Sequence, residues 1–325
     1  MTQYTRVKPK AALPGRDPRV YADLDELVRL QFAAQGFSFL PRQPVHSVLY
    51  GRHASRLRGR GLNFEELRAY VPGDDIRNVD WKATARAGEP TLRVYTEERD
   101  RPVWLLVNQR QSMFFGSKER TKSVTAAEVA ALTAWRVLGA GDRVGALVFD
   151  DNDIQMIRPQ RSRDQVMRVL GAIVKKNHQL NADNSQTANP AIISQVLERL
   201  RPHAKHDCLI CMIGDGSGFD ERVQDQVTEL NAHNDLIFAM IYDAFEAELP
   251  NAGPLTVSDA ERHLLFDSGN RNLRDRYKAD FEARLETLKG LSRKRAIPLL
   301  PISTEGPVAE QVRALLGPQD RGRRV

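Results

Sequence analysis

From Pro102 onward the chain alternates short, almost purely apolar runs with segments of helical periodicity. The runs at residues 103–107, 208–213 and 236–241 are continuously apolar instead of alternating in polarity. Continuous runs are typical of strands that are buried on both faces, and strands that alternate with helices form mostly parallel sheets. The sequence therefore predicts an α/β domain in which helices cover both faces of one sheet.

Periodicity also predicts the remaining elements and the domain boundaries. Further strands are expected at residues 143–149, 154–157 and 297–301, with a turn over 150–153 joining the first two. Helices are expected at residues 23–35, 124–138, 164–175, 190–200, 219–230, 277–291 and 308–316. The predicted organisation is a loose basic arm (1–20), an N-terminal helix with a β-rich subdomain (21–101), the α/β domain (102–318) and a basic tail (319–325).

The composition indicates an ordinary globular protein. Of the 325 residues, 41% are hydrophobic and 28% are charged. No apolar run approaches the roughly 20 residues that a membrane-spanning helix needs, and the N-terminus lacks the apolar core of a secretory signal. We therefore expect a cytoplasmic protein without a membrane span.

The positive charge is concentrated in the N-terminal third. The formal net charge is +6, most of it within residues 1–102, and the densest cluster comprises Arg52, Arg56, Arg58 and Arg60. Nucleic-acid surfaces that stack bases interleave aromatic residues with such a cluster, and none are present here. A protein-docking or ion-paired surface is favoured, and a nucleic-acid-binding role for this basic third remains the alternative.

The two cysteines have the CxxC spacing of redox motifs. Cys208 and Cys211 nevertheless lie in an apolar run that is predicted to be a strand. Residues three apart on a strand point to opposite faces, so the two thiols should not meet. Buried structural cysteines are expected.

Residues 59–86 contain a long motif of glycine, arginine, aspartate and aromatic residues, and shorter, different motifs follow later in the chain. The residues that make up these motifs are Gly59, Gly61, Phe64, Arg68, Tyr70, Gly73, Asp74, Asp75, Ile76, Arg77, Asp80, Trp81, Ala85, Arg86, Ser112, Met113, Gly141, Asp142, Arg143, Val144, Gly145, Tyr242, Asp243, Glu246, Leu249 and Pro250. Together, over about residues 20–318, they resemble the bacterial family called domain of unknown function 58. The resemblance implies a von Willebrand factor A-like three-layer sandwich with a mostly parallel central sheet and a β-rich N-terminal elaboration.

In von Willebrand factor A-like domains a metal site lies at the carboxyl edge of the sheet. Carried over by resemblance, its first motif falls on Asn108, Arg110 and Ser112, its threonine on Thr187 and its aspartate on Asp215. Asn108 lacks the charge of an aspartate, and Arg110 offers no oxygen and is permanently positive. We expect a degenerate site that binds neither Mg²⁺ nor Mn²⁺, with Arg110 paired to Asp215. The alternative is a metal-dependent ligand-binding protein in which Arg110 turns outward.

The charged family motif has a structural interpretation and a catalytic one. Its members are Arg68, Gly73, Asp74, Asp75, Arg77, Asp80, Trp81 and Arg86. Neighbouring carboxylates could form a catalytic pair, but Pro-Gly-Asp-Asp is typical of a turn. We predict arginine–carboxylate pairs that clip the β-rich region to the main sheet, with Trp81 as a core anchor.

No motif in the chain predicts catalysis. The seven histidines lack zinc spacing, and there is no GxSxG turn or Cys/His nucleophile. Proteins of the resembled family are typically encoded beside AAA+ ATPases of the MoxR type, which implies an adaptor or co-chaperone role. The resemblance suggests that the rim formed by Asn108, Thr187 and Asp215, or the arginine-rich residues 51–60, meets the partner.

Overall fold

The computed structural model divides the chain into two units. The main unit comprises Met1–Pro41 and Arg101–Val325, and the small unit comprises Arg42–Asp100. The residues described are 17–35, 37, 62–71, 74, 76–97, 101–181, 188–259 and 262–316.

The strands are numbered in chain order. They are β1 (Leu62–Ala69), β2 (Thr91–Glu97), β3 (Pro102–Asn108), β4 (Arg143–Phe149), β5 (Ile154–Gln160), β6 (Leu209–Gly214), β7 (Asp235–Tyr242), β8 (Pro254–Asp259), β9 (Arg262–Asp267) and β10 (Leu299–Ser303). All strands expected from the sequence are present. The hairpin β8–β9 was not predicted.

The helices are numbered in the same way. They are α1 (Leu24–Arg29), α2 (Trp81–Ala87), α3 (Lys122–Gly139), α4 (Arg163–Asn177), α5 (Ile192–Leu200), α6 (Glu221–Asn231), α7 (Ala244–Ala247), α8 (Arg271–Arg295) and α9 (Val308–Leu316). Among the described helices, none combines the length and the apolar character that a membrane crossing requires.

The main sheet has six strands in the order β10-β7-β6-β3-β4-β5. Neighbouring strands are parallel except for β5, which pairs antiparallel with β4. Leu105 and Cys211 point into the core formed with α3 and α4, whereas Trp104 and Cys208 point into the core formed with α5 and α6. The predicted mostly parallel sheet with both faces covered is confirmed, and so are two buried, unpaired cysteines on opposite faces.

Helix α1 packs in the main unit, on α3. The Trp135 indole Nε1–H donates to the Leu27 carbonyl at 3.0 Å, and Leu27 is buried. The predicted region 21–101 is therefore divided differently by the structure, because its first helix buries its apolar side against the α/β domain.

The small unit is built on the antiparallel pair β1–β2 and the short helix α2. The Asp80 side chain caps α2 by accepting from the Lys82 and Ala83 amides. Arg68 pairs with Asp74 at 2.7 Å, a contact within this unit. Gly73 and Asp75 lie outside the described residues.

Trp81 does not anchor a core in the small unit, contrary to the sequence-based expectation. It is the first residue of α2 and is 70% exposed, and α2 buries none of its residues. The Asp80 cap sets where the helix begins, and this leaves the indole of the next residue pointing outward. Arg77 lies in the 3₁₀ turn Ile76–Asn78, and Arg86 is exposed in the last turn of α2.

Candidate functional site

The centre of the main sheet contains a topological switch point. Strands β3 and β6 are parallel neighbours, and the helices that follow them, α3 and α6, pack on opposite faces. The chain therefore diverges after the carboxyl ends of these two strands and leaves a crevice between them. In open α/β sheets this is the usual position of a ligand site.

Asn108 and Arg110 line one side of this crevice. The Asn108 side chain is buried, and its Oδ1 accepts from the Arg110 amide at 3.0 Å and from the Arg110 Nε–H at 3.3 Å. Arg110 is 5% exposed, and its Nη2 donates to the Ser217 carbonyl at 3.0 Å. The arginine side chain thus lies in the crevice and does not turn outward.

Asp215 lies on the other side, one residue after β6, and is 1% exposed. Its Oδ1 accepts from the Ser217 amide at 3.1 Å and is 3.7 Å from the Arg110 Nη2, so the predicted pair is present. Burial by itself would raise the pKa of Asp215, but Lys122, Arg110 and the Ser217 hydrogen bonds hold that pKa below its ordinary value. Asp215 is therefore a buried carboxylate.

Lys122 is a second cation in the crevice, and the sequence analysis missed it. It is the first residue of α3 and is 2% exposed. Its Nζ lies 3.6 Å from the Asp215 Oδ2 and donates to the Glu246 Oε1 at 2.6 Å. One signal was available, because a helix N-terminus is the positive end of the helix dipole and disfavours a lysine unless carboxylates compensate.

The charges form a continuous chain across the carboxyl edge. Glu246 also lies 3.9 Å from the Arg284 Nη2 of α8 and closes a capping box with Asp243. We call Arg110, Lys122, Asp215, Glu246 and Arg284 the buried charge network, after its three buried members Arg110, Lys122 and Asp215; Glu246 and Arg284 are partly exposed. It connects the ends of β3 and β6 to α3, α7 and α8.

Asp243 fastens two further loops at the same edge. Its carboxylate accepts from the Ser117 amide at 2.9 Å and from the Thr304 hydroxyl at 2.7 Å. Burial would raise the pKa of Asp243, but these hydrogen bonds lower it below the ordinary value. The loops after β3 and β10 are thereby held to the start of α7.

The turn over residues 150–153 is a hairpin turn, as predicted. Asp150 Oδ1 accepts from the Asn152 and Asp153 amides, and its Oδ2 accepts from the Lys176 Nζ at 2.7 Å. Asp151 accepts from the amides of Gln111 and Asn189. These carboxylates are used to hold loops in place.

Only part of the predicted rim is at the surface. Asn108, Arg110 and Asp215 are buried, whereas Ser112 is exposed in the 3₁₀ turn Gln111–Met113. Thr187 lies outside the described residues. Of the predicted rim residues that the structure describes, Ser112 is therefore the one that is exposed.

The residues in the crevice do not fit a divalent cation. Mg²⁺ requires near-octahedral oxygen coordination, but the Asn108 oxygen is occupied by Arg110 and each Asp215 oxygen faces a cation. A divalent ion about 4 Å from a guanidinium would be repelled by about 8 kcal/mol at an effective dielectric of about 20. Arg110 and Lys122 supply the positive charge instead.

We expect Mg²⁺ and Mn²⁺ to leave the thermal unfolding of the protein unchanged. A micromolar site would raise the free energy of unfolding by about 2.7 kcal/mol at about 100-fold excess over its Kd. Calorimetric scans with added MgCl₂ or MnCl₂, compared with EDTA, measure this difference. Titration calorimetry that finds micromolar Mg²⁺ affinity, lost in Asp215→Ala, would contradict the expectation.

The sequence matches the family model described as protein of unknown function DUF58 over residues 66–295, which is more than half of the chain. The chain belongs to this family. The DUF58 match includes every member of the buried charge network. Uncharacterized proteins Rv1480 of Mycobacterium tuberculosis and Mb1516 of Mycobacterium bovis are each 24% identical over 287 residues, covering 87% of this chain and 87% of theirs.

Two solved structures resemble parts of this DUF58 protein. BatB from Bacteroides thetaiotaomicron has a TM-score of 0.36 and 11% identity, covering 66% of this chain and 98% of its own. An aerotolerance-related membrane protein from Bacteroides fragilis has a TM-score of 0.38 and 11% identity, with 66% and 96% covered. Likeness at this level does not establish a common fold.

Proposed function

We propose that this DUF58 protein is a non-catalytic, protein-binding adaptor or co-chaperone that acts with an AAA+ ATPase of the MoxR type in the cytoplasm. The observation that carries the proposal is the pairing of Asp215 with two buried cations, Arg110 and Lys122. The position where an α/β sheet offers a ligand site is occupied by the protein's own charged side chains. The carboxyl edge of the sheet is therefore suited to presenting a rigid surface to another protein.

The proposal includes a von Willebrand factor A-like origin for the main unit. The six-stranded sheet has the doubly wound order, with a single antiparallel strand, β5, at one edge. In this interpretation Asn108, Arg110 and Asp215 retain the positions of a metal site whose ion has been replaced by side chains. The partner named here follows from the family resemblance, which is an analogy of fold.

The proposed contact surface is the loop of residues 111–120, above the buried charge network. Ser112, Lys118 and Glu119 are exposed in this loop. Asp243 and Asp151 fix the loop by accepting from the amides of Ser117 and Gln111. A loop held at two points loses little conformational freedom on binding, and that lowers the entropic penalty of association.

The substitution Ser112→Arg tests this surface. We expect it to reduce the recovery of the ATPase about tenfold, equivalent to about 1.4 kcal/mol of binding energy, by crowding the contact. The matched control is Ala140→Arg, an exposed residue at the C-cap of α3 and the opposite end of the sheet, which should leave recovery unchanged.

The measurement is affinity purification of the full-length protein from its native host, with ATPases quantified by mass spectrometry. Repeated purifications that recover no AAA+ ATPase would count against the adaptor role. If neither Ser112→Arg nor Ala140→Arg changes the recovery of the ATPase, the loop is not the contact surface.

A further inference from the structure

A groove runs along one side of α8 in the main unit and has a volume of about 560 Å³. Its floor is formed by β7 and β10, where Met240 and Pro301 are paired in register and lie on the same face of the sheet. Its wall is formed by α8. The groove is open to solvent, since Pro301 and Arg293 are both exposed.

The wall is a single stripe of side chains on α8. Phe281, Leu285, Lys289 and Arg293 follow one another at intervals of four residues, so they lie on one helix face. Twelve residues of helix span about 18 Å. At about 3.3 Å per residue, an extended segment of about five residues would fill that length.

The two ends of the stripe differ in chemistry. The first end is apolar, because Phe281 and Leu285 line it and the Phe281 ring lies against the ring of Tyr242. The second end is cationic, with Lys289 and Arg293 in the groove and Lys294 and Arg295 completing the helix. Glu286 pairs with both groove cations, at 2.9 and 2.8 Å, and leaves one positive charge in excess within the groove.

The apolar end is already ordered without a ligand. The ring of Phe281 lies 5.8 Å from the ring of Tyr242, and the Arg284 guanidinium lies 5.5 Å from the Phe281 ring centre. Because Arg284 also belongs to the buried charge network, Phe281 is fixed from two sides. A preformed apolar surface favours binding, since little side-chain entropy remains to be lost.

The edge of β10 is poorly suited to adding another strand. The Phe238 amide of β7 donates to the Pro298 carbonyl, and every second residue after Pro298 also faces β7. The residues between them, beginning with Leu299, point their main-chain amide and carbonyl groups away from the sheet. Pro301 has no N–H to offer, and the Gln311 carboxamide bonds both the amide and the carbonyl of Ser303. Recognition in this groove therefore depends on side chains.

We propose that this groove binds a short acidic and apolar segment of a partner protein, with large apolar side chains against Phe281 and Leu285 and carboxylates against Lys289 and Arg293. The excess positive charge at one end favours acidic residues in the ligand. The apolar end favours large apolar residues, so a ligand with only charged side chains would bind weakly. A nucleic acid would need cations along the whole length of the groove. This inference is independent of the ATPase partnership.

The test uses a displayed library of random peptides, selected on the full-length protein. We expect enrichment of sequences that place large apolar residues next to aspartate or glutamate. The most enriched peptide is then labelled, and its affinity is measured by fluorescence anisotropy against variants that circular dichroism shows to be folded. Arg293→Glu and Phe281→Ala should each weaken binding about tenfold. Lys294→Glu, on the same turn but outside the groove, should change it less than about twofold.

Two results would overturn the proposal. One is the absence of any peptide enriched above a selection on bare matrix. The other is enrichment of peptides that bind Arg293→Glu and Phe281→Ala as well as they bind the unaltered protein. If no peptide is enriched but labelled single-stranded DNA binds the protein, and Arg293→Glu weakens that binding, the groove is a nucleic-acid site.

Discussion

Replacement of Lys122 by methionine is expected to lower the free energy of unfolding by about 3–5 kcal/mol. Methionine preserves the length of the side chain but removes the cation that faces both Asp215 and Glu246. Removing one partner of a buried ion pair carries a penalty of this size, because Glu246 loses its 2.6 Å partner and Asp215 keeps only Arg110, at 3.7 Å. Equilibrium denaturation in urea measures the loss. The control Lys175→Met, an exposed residue of α4, should stay within about 0.5 kcal/mol.

The dependence on pH separates lost charge from lost packing. In the unaltered protein the pKa of Asp215 is lowered, so this carboxylate contributes stability above its unfolded pKa of about 3.9 and loses it as the pH falls through the folded value. Without Lys122 the opposing effect of burial raises that pKa. The difference between Lys122→Met and the unaltered protein should therefore be largest at neutral pH and shrink in acid.

A double-mutant cycle tests whether Asp215 is the carboxylate that Lys122 stabilises. Asp215→Asn removes the charge that Lys122 compensates, so Lys122→Met should cost less in that background, with a coupling of about 1–3 kcal/mol. If the losses from the two substitutions simply add at every pH, Lys122 is not the cation that stabilises Asp215.

Substitution of Gly116 by alanine is expected to lower the free energy of unfolding by about 3 kcal/mol. This is the upper end of the range that overpacking substitutions usually cost. A Cβ at this position would lie 2.2 Å from the Arg120 carbonyl oxygen and 2.8 Å from the Thr121 Cα, both of them backbone atoms that cannot turn away. The loop that would move carries the Ser117 amide to Asp243 and leads directly into Lys122. The buried charge network should therefore be disturbed as well.

Gly139 provides the matched control for this experiment. It is the last residue of α3, and a Cβ there would meet nothing within 4 Å. Gly139→Ala should be neutral or stabilising by up to about 1 kcal/mol, because alanine restricts the unfolded chain. Thermal and urea unfolding of both variants measure the contrast. Equal stability of Gly116→Ala and Gly139→Ala would mean that the loop relaxes without loss.

The sequence predicted the sheet well and the exposed helices less well. The strands of the main sheet are continuous apolar runs, which report burial directly. Helix α8 was predicted over 277–291 and extends over Arg271–Arg295, since its charged ends carry no apolar signal but form i,i+4 pairs such as Arg271 with Asp275. The hairpin β8–β9 was missed because each strand has only a few apolar residues, which are bounded by polar and charged ones.

The sequence by itself determined the α/β architecture, the DUF58 resemblance and the presence of Arg110 beside Asp215. Each of these depends on local patterning or on a motif that can be compared residue by residue. Only the tertiary structure decided that Lys122 is the second cation, that Trp81 is exposed and that α8 borders a groove. The physical reason is distance along the chain: Lys122 meets Glu246 across 124 residues, and no local pattern specifies which charges the folded sheet brings to the same edge.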